Sequence, residues 1–355
     1  MPNSIKECIK LNHHFPSNTI TMNIELFKSL TKTARNIFIT THQHPDADGI
    51  GSQMALKIAL EQLGKKVLCI NQHPTSAKYK HLDKKSHILS YKQFIKLDFK
   101  ETVDLFIVTD TNSLSRIGTG IEELVKNAKN LLFIDHHPAP VELRSLHCID
   151  VTASATGEIV GQLIDALGVE LNQNIAFLLY TAILIDTNSF RYPSVTGKTH
   201  RLIAKLIDSG MKPSNAYNRI YCNKKISDMH LLGNILSLAK INSNETIAWL
   251  TLDEKTLKKF NVDPEDTHHF INNLLVLDNL KIACLFRQTG DHVKISLRST
   301  GNIDVSTIAE ALGGGGHHHA AAINMLGNIE DVTQNVLQKL EIILQNQSAQ
   351  ESTNK

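Results

Sequence analysis

Disulfide frames and cysteine-rich zinc sites are excluded by how little cysteine there is and how it is spread. Cys8, Cys69, Cys148, Cys222 and Cys284 are the only five in 355 residues, an odd number never spaced as C-x-x-C, so reduced thiols in a cytosolic protein are expected. Charge of one sign is also lacking. Lys and Arg number 37 against 35 Asp and Glu, which demands neither a nucleic acid nor a membrane as partner but leaves room for a local basic groove. No apolar run approaches the roughly 18 residues that cross a bilayer, and the N-terminus lacks the apolar core of a signal peptide. There is no internal repeat. The expectation is a soluble, cytoplasmic protein, long enough for two domains and with 42% apolar residues to build their cores.

What the chain does have is one stretch around which the rest is arranged, His42-Gln-His-Pro-Asp-Ala-Asp-Gly49. It follows the apolar run Ile37-Phe38-Ile39 and precedes a helical pattern from Ile50 to Leu63. His42, Asp46 and Asp48 are thereby placed on one turn at the end of a strand. In open parallel sheets such turns converge on one crevice at the carboxyl ends of the strands. Gly49, Gly51 and Ser52 then open a helix whose first-turn N–H groups suit an anion. A plain N-cap role for an Asp before a helix is an equally ordinary reading of this stretch alone.

Strand-like runs at 66–70, 104–109 and 131–134, alternating with helical segments, indicate a parallel, helix-covered sheet. Apolar helices are expected at 157–167, 175–185 and 199–207, and a further helix at 227–239. Beyond these the pattern changes. Strands at 246–252, 281–286 and 292–297 with helices at 266–276 and 305–311 indicate a smaller α+β unit. The fold class is therefore α/β in two domains: a loose extension at 1–21, a parallel-sheet domain at 22–205, a helical linker at 206–240, a second domain at 241–345 and a polar tail at 346–355.

Three further places repeat the first. Asp110 follows Leu105-Phe106-Ile107-Val108-Thr109, Asp135-His136-His137 follows Leu131-Leu132-Phe133-Ile134, and Asp186 closes an apolar stretch. Each alone is an ordinary turn or cap residue, but four in one domain argue for a common site. Carboxylates and imidazoles without thiolates suit Mn²⁺, with Mg²⁺, Co²⁺ or Fe²⁺ as alternatives. The candidates are too many for one ion. Two ions together activate water and stabilise both oxygens of a phosphoryl displacement, so phosphate-ester hydrolysis is the expected reaction.

These motifs, His42-x-x-Pro45-Asp46-x-Asp48-x-x-Gly51-Ser52, Asp110 with Arg116-Ile-Gly118, Asp135-His136-His137 and Asp186-Thr-Asn-Ser-Phe190, resemble the DHH phosphoesterase superfamily. Lys294-x-Ser-x-Arg298-Ser299 with Gly313-Gly314-Gly315-Gly316-His317 resembles the associated DHHA1 domain. Over residues 25–340 the chain is most similar to the oligoribonuclease and pAp-phosphatase type. The resemblance implies one ion on His42, Asp46 and Asp110 and a second on Asp48, Asp110, His136 and Asp186. It implies that Asp135 orients an imidazole and that His137 contacts the scissile phosphate, the nucleophile being a hydroxide bridging the ions rather than a side chain. It further implies a cleft between the domains, in which Arg298, Ser299, Lys294, Gly314, Gly315, Gly316 and His317 grip the substrate, with Arg116 and Arg191 as further contacts. Short oligoribonucleotides cut to mononucleotides are the implied substrates, with pAp as a second one, and a homodimer is compatible with the pattern.

Cyclic di-AMP or linear pApA and pGpG phosphodiesterase activity is the close alternative, and an inactive nucleotide-binding module the distant one. The complete ligand set speaks against the latter. Two departures stand out. Asn188 replaces the usual Gly of the fourth motif, and Asn tolerates a positive φ better than most residues. Ala322 replaces the usual Gly after Ala320-Ala321.

Overall fold

The computed structural model describes residues 22–222 and 224–353. The expected extension at 1–21 and the last two residues of the expected tail lie outside the described residues. The chain divides into two compact units between Ile220 and Tyr221.

The first unit is built on a six-stranded sheet, β1 (Asn36–Thr40), β2 (Lys66–Asn71), β3 (Ile88–Ser90), β4 (Leu105–Thr109), β5 (Leu131–Asp135) and β6 (Cys148–Ile149), in the order β3-β2-β1-β4-β5-β6. Every pairing in it is parallel. Such strands are buried on both faces, which is why β1 and β4 read as unbroken apolar runs. The chain runs outward from β1 in one direction to β3, then restarts beside β1 at β4. That reversal opens a crevice at the carboxyl ends of β1 and β4.

One sheet face packs Phe38, Phe106, Val108 and Phe133 against Ile117 and against Ile121 of the surface helix Thr119–Lys126 that follows it. Helix Ala47–Gln62, which leaves β1, is buried along almost its whole length. Its neighbours include helices Thr156–Ala166 and Gln173–Asp186. A helix buried on nearly all sides belongs in an interior, and this one carries Asp48 there, with Asp46 at its N-cap.

The second unit has a mixed sheet in the order β11-β12-β10-β9-β8-β7, with β7 at Lys240–Ile241, β8 at Ile247–Leu252, β9 at Ile282–Thr289, β10 at His292–Ser299, β11 at Gly315–His317 and β12 at Ala320–Leu326. Only β8 and β9 pair in parallel. Ile282, Cys284, Val293, Ile295 and Leu297 face Val332, Val336 and Leu340 of the helix Ile329–Thr353. Ala283 and Leu285 face the other way, onto Leu231 and Ile235 of helix Ile226–Leu236 and onto Phe270 and Leu274. Within the segment 206–240, helix Pro213–Tyr221 ends at the division between the units, and Ile226–Leu236 contributes to the second core. The backbone of 346–353 continues the last helix.

The glycine run is ordered and its glycines differ in purpose. Gly313, at φ 79°, ends helix Val305–Ala311 in the left-handed conformation common there. Gly314 lies so close to β12 that a Cβ on it would come 2.2 Å from Ala322 O and 2.9 Å from Ile323 Cα. Gly315 has open space in the same test. Gly314→Ala is therefore expected to destabilise the second unit by about 1–3 kcal/mol, the usual range for overpacking, whereas Gly315→Ala stays within about 1 kcal/mol of the parent. Equal chemical-denaturation midpoints for the two variants would contradict this assignment.

Candidate metal centre

The site is assembled from the ends of β1, β4 and β5 and from the last residue of helix Gln173–Asp186. Asp46 is the N-cap of helix Ala47–Gln62, its Oδ1 accepting the N–H groups of Asp48 at 2.8 Å and Gly49 at 3.2 Å. The plain capping role open at the outset is thus present. It uses one carboxylate oxygen and leaves the other. Asp110 leaves β4 in a left-handed conformation, φ 62°. Asp tolerates that region better than most side chains, and strain of this kind persists where surrounding structure fixes it.

His42, Asp46 and Asp110 each bring a ligand-capable atom within 4.8 Å of the others, and so do Asp48, His136 and Asp186, and Asp110, His136 and His137. Asp110 sits between the groups. Its Oδ2 is 3.4 Å from His42 Nε2, and its Oδ1 is 3.8 Å from His136 Nε2 and 3.9 Å from His137 Nδ1. His136 Nε2 also lies 3.3 Å from Asp186 Oδ2. Asp48, Asp110 and Asp135 are all fully buried.

Concentrating carboxylates this way is unfavourable without cations. Burial, then Asp110, raises the carboxyl of Asp48 to about 8. Burial and the charge of Asp46 raise Asp110 well above its ordinary range, and burial with Asp48 and Asp46 does the same to Asp186. Burial holds His42 below the usual imidazole value, and Arg116 adds to the effect. His136 behaves oppositely, because Asp48 and Asp110 outweigh its burial and raise it.

Asp135 is organised differently. Its Oδ1 lies 2.6 Å from His137 Nδ1 and accepts the N–H of His136 at 2.9 Å, while Oδ2 accepts from Asn112 Nδ2 at 2.8 Å. Burial opposes its charge, but His137 more than compensates and holds its carboxyl below the usual value. With Nδ1 committed to a carboxylate, His137 directs Nε2 elsewhere. Burial keeps His137 itself below the ordinary imidazole range.

Among the described residues, Asp110 Oδ2 and His42 Nε2 are buried polar atoms with no hydrogen-bond partner. Orphaned buried acceptors are rare and call for an ion or ligand. An oxygen-and-imidazole donor set is the chemistry of a divalent ion. These residues fit metal ions.

Other candidates take varied positions. Arg116 is exposed, and its carbonyl accepts Gln43 N–H at 2.8 Å, tying it to the first loop. Arg191 donates through Nε and Nη2 to the backbone and side-chain oxygens of Asn188, both at 3.0 Å. Asn188 has φ 48°, and Ser189 and Phe190 continue in the left-handed region at 61° and 64°. Nothing in the sequence marks a Phe for that conformation.

In the second unit, Lys294, Ser296 and Arg298 alternate along one face of β10, opposite Asn324, Ala322 and Ala320 of β12. Lys294 Nζ lies 3.6 Å from Glu265 Oε1, and Arg298 Nη1 donates to Leu297 O at 2.9 Å. Ser299 points to the other face and is 2% exposed, its hydroxyl donating to Ile303 O at 2.6 Å. The N–H groups of Gly313 and Gly314 donate to Glu310 O and Ala309 O, so those two amides close the helix end. The side chain of His317 lies outside the description. Sequence reasoning gave no role to Asn112 or to Thr156, which donates to both Asp48 and Asp110; neither lies in a spaced motif.

Compared with known proteins, residues 36–183 match the DHH family, N-terminal domain, and residues 244–346 match the DHHA1 domain. The chain is 30% identical over 304 residues to the bifunctional oligoribonuclease and PAP phosphatase NrnA of Thermus thermophilus, covering 85% of this chain and 88% of that one. It is 25% identical to the Bacillus subtilis protein of the same name, covering 91% and 98%. Among solved structures, an exopolyphosphatase-related protein from Bacteroides fragilis superposes with a TM-score of 0.82 at 27% identity, covering 91% of this chain and 97% of that one.

Proposed function

The chain belongs to the DHH family and is a metal-dependent nucleotide phosphoesterase; on that premise we propose that it cuts very short oligoribonucleotides to 5′-mononucleotides and removes the 3′-phosphate of pAp. The observation that carries the reading is the gathering of His42 and Asp46 around Asp110, a buried carboxylate with one orphaned oxygen, beside a second group of Asp48, His136 and Asp186, the two joined through His136 near Asp110. The relatives named for oligoribonuclease and PAP phosphatase activity cover most of the chain and support the substrate class.

In this reading His42, Asp46 and Asp110 hold one divalent ion and Asp48, Asp110, His136 and Asp186 a second, with Mn²⁺ the preferred metal. When bound, the ions supply Lewis acidity and neutralise charge on the phosphoryl oxygens. The protein's own part is positioning and proton handling. Asp135 holds His137 by Nδ1, so Nε2 is the atom that meets the phosphate. Burial lowers this imidazole below its ordinary range, and an arriving phosphate favours its protonation, which prepares it to protonate the leaving oxygen. Arg116 stands close enough to oppose protonation of His42 and His137, and its charge suits a substrate phosphate. Lys294, Arg298, Gly315, Gly316 and His317 supply the second unit's contacts to the substrate. A cytoplasmic enzyme acting on nucleotides follows from the same reading.

The test is hydrolysis of pApA, pAp and cyclic di-AMP by metal-stripped protein to which Mn²⁺ is restored. Mononucleotide from pApA, or AMP from pAp, is expected. Turnover of cyclic di-AMP alone would move the protein to second-messenger control, and no product from any of the three would overturn the assignment.

A further inference from the structure

The first residues of helix Thr156–Ala166 reach two carboxylates that lie far away in the chain. The backbone N–H of Thr156 donates to Asp48 Oδ2 at 2.7 Å, and that of Gly157 to Asp48 Oδ1 at 2.8 Å, across 108 and 109 residues. Ser52 Oγ adds a third donor to Asp48 Oδ1 at 3.1 Å. The hydroxyl of Thr156 donates to Asp110 Oδ1 at 3.1 Å. Thr156 is fully buried. Gly157 leaves no room for a side chain, because a Cβ there would stand 2.7 Å from Ala182 Cβ and 3.3 Å from Asp48 Oδ1.

We propose that Thr156 is a positioning residue that seats Asp48 and Asp110 as a pair, so that Asp48 faces an ion through Oδ2 alone and Asp110 presents Oδ2 on the His42 side. The inference rests on the metal-centre reading above and deepens it. A carboxylate has about four lone-pair sites, two on each oxygen. On Asp48, Oδ1 already accepts from Gly157 and Ser52, while Oδ2 accepts from Thr156 only. One site on Oδ2 is left. On Asp110 the Thr156 hydroxyl engages Oδ1, and Oδ2, orphaned and 3.4 Å from His42 Nε2, is left for the other side. A single residue thus uses its amide to turn one carboxylate and its hydroxyl to turn the other. Groups that orient metal ligands typically change metal affinity about 10–100-fold when removed.

The backbone donor survives any substitution except proline, whereas the hydroxyl is lost in all but Ser, which makes the two functions separable. Thr156→Val keeps size and amide and loses the Asp110 bond; Thr156→Ser keeps both. Mn²⁺ is titrated calorimetrically into the metal-stripped full-length variants, and kcat and KM for pApA are measured beside it. The proposal expects Thr156→Val to bind Mn²⁺ about 10–100-fold more weakly, with kcat reduced and KM little changed, and Thr156→Ser to remain within about threefold of the parent on both readouts. Parental Mn²⁺ affinity in Thr156→Val, or equal loss in both variants, would overturn it. If Thr156→Val does not fold, Thr156→Ser decides alone, since weakened Mn²⁺ binding despite a retained hydroxyl contradicts the role. Parent protein that takes up Mn²⁺ yet cleaves no nucleotide would sink the substrate assignment and not this one. Absence of Mn²⁺ uptake by the parent would overturn both.

Discussion

Replacing Asp110 by Asn is expected to remove metal-dependent hydrolysis while raising the melting temperature of the metal-free protein at pH 8. The two effects have one cause. Asp110 is fully buried, within 4 Å of His42, His136 and His137, and repelled by Asp46, Asp186 and Asp135. Without ions that charge is unfavourable, and Asn fits the same space without it. Its amide nitrogen can face His42, which burial keeps neutral, while its oxygen retains the Thr156 hydroxyl. A gain of 1–2 kcal/mol in a unit of this size corresponds to roughly 3–6 °C. Activity moves the other way. A metal ion contributes several kcal/mol to stabilising a phosphoryl transition state, and each 1.4 kcal/mol is tenfold in rate, so a loss on the order of a thousandfold is expected. Differential scanning calorimetry and a pApA assay on the same preparation decide the matter. A lower melting temperature in Asp110→Asn, or activity within tenfold of the parent, would refute the account.

The second large effect is a pH dependence that appears only when metal is removed. For a carboxyl whose folded-state pKa is raised, the folded chain holds the proton more tightly than the unfolded one. Its stabilisation is complete below the unfolded value near 4 and fades as pH climbs toward the folded value. That value is about 8 for Asp48, and Asp110 and Asp186 move in the same direction. His136, also raised, likewise loses its contribution as pH rises through its folded value. His42 and His137 are lowered, so they weaken the fold only as pH falls below about 6.5. Between pH 6.5 and 8 the first set acts without opposition. Metal-stripped protein should therefore melt several degrees lower at pH 8 than at pH 6.5, each unit carrying up to about 1.4 kcal/mol per titrating carboxyl. Mn²⁺ at about 100 times its dissociation constant should restore about 2.7 kcal/mol. Its effect should be larger at pH 8, because ions displace protons from these groups. Identical melting temperatures for the stripped protein at pH 6.5 and 8 would contradict the electrostatic picture.

Much of this was legible because the first sheet is parallel. Ile37-Phe38-Ile39 and Leu105 to Val108 are apolar throughout since both faces are covered, and the residues following such runs fall at one crevice by topology alone. Asp110 and Asp135 could thus be placed beside His42 from order and spacing. What escaped has a common character, for it depends on backbone donors that no residue type announces. The helix expected to begin at Gly157 begins at Thr156, and that residue links Asp48 to Asp110. β3 and β6 are three and two residues long, too short for any alternation to show. β12 reads Ala320-Ala321-Ala322 at its start, which carries no strand signal, yet Gly314 permits the close approach that pairs it. Phe190 at a positive φ is set by contacts of the folded chain, including the edge-on ring of Tyr180 at 5.9 Å.

The proposed ligands are spread from His42 to Asp186, and strands that neighbour each other in the sheet are far apart along the chain, Ile37 lying beside Leu105. During synthesis the first half of this set leaves the ribosome well before the second. Contacts of such long range form late, and a nascent domain generally folds as one unit. The emerging segment 42–48 holds three donor side chains that its neighbours have not yet turned toward one another. In this reading the set His42, Asp46 and Asp110 emerges first, and the set that includes Asp186 is complete only once helix Gln173–Asp186 is outside the exit tunnel, with the helix Gly197–Asp208 of the first unit still to follow.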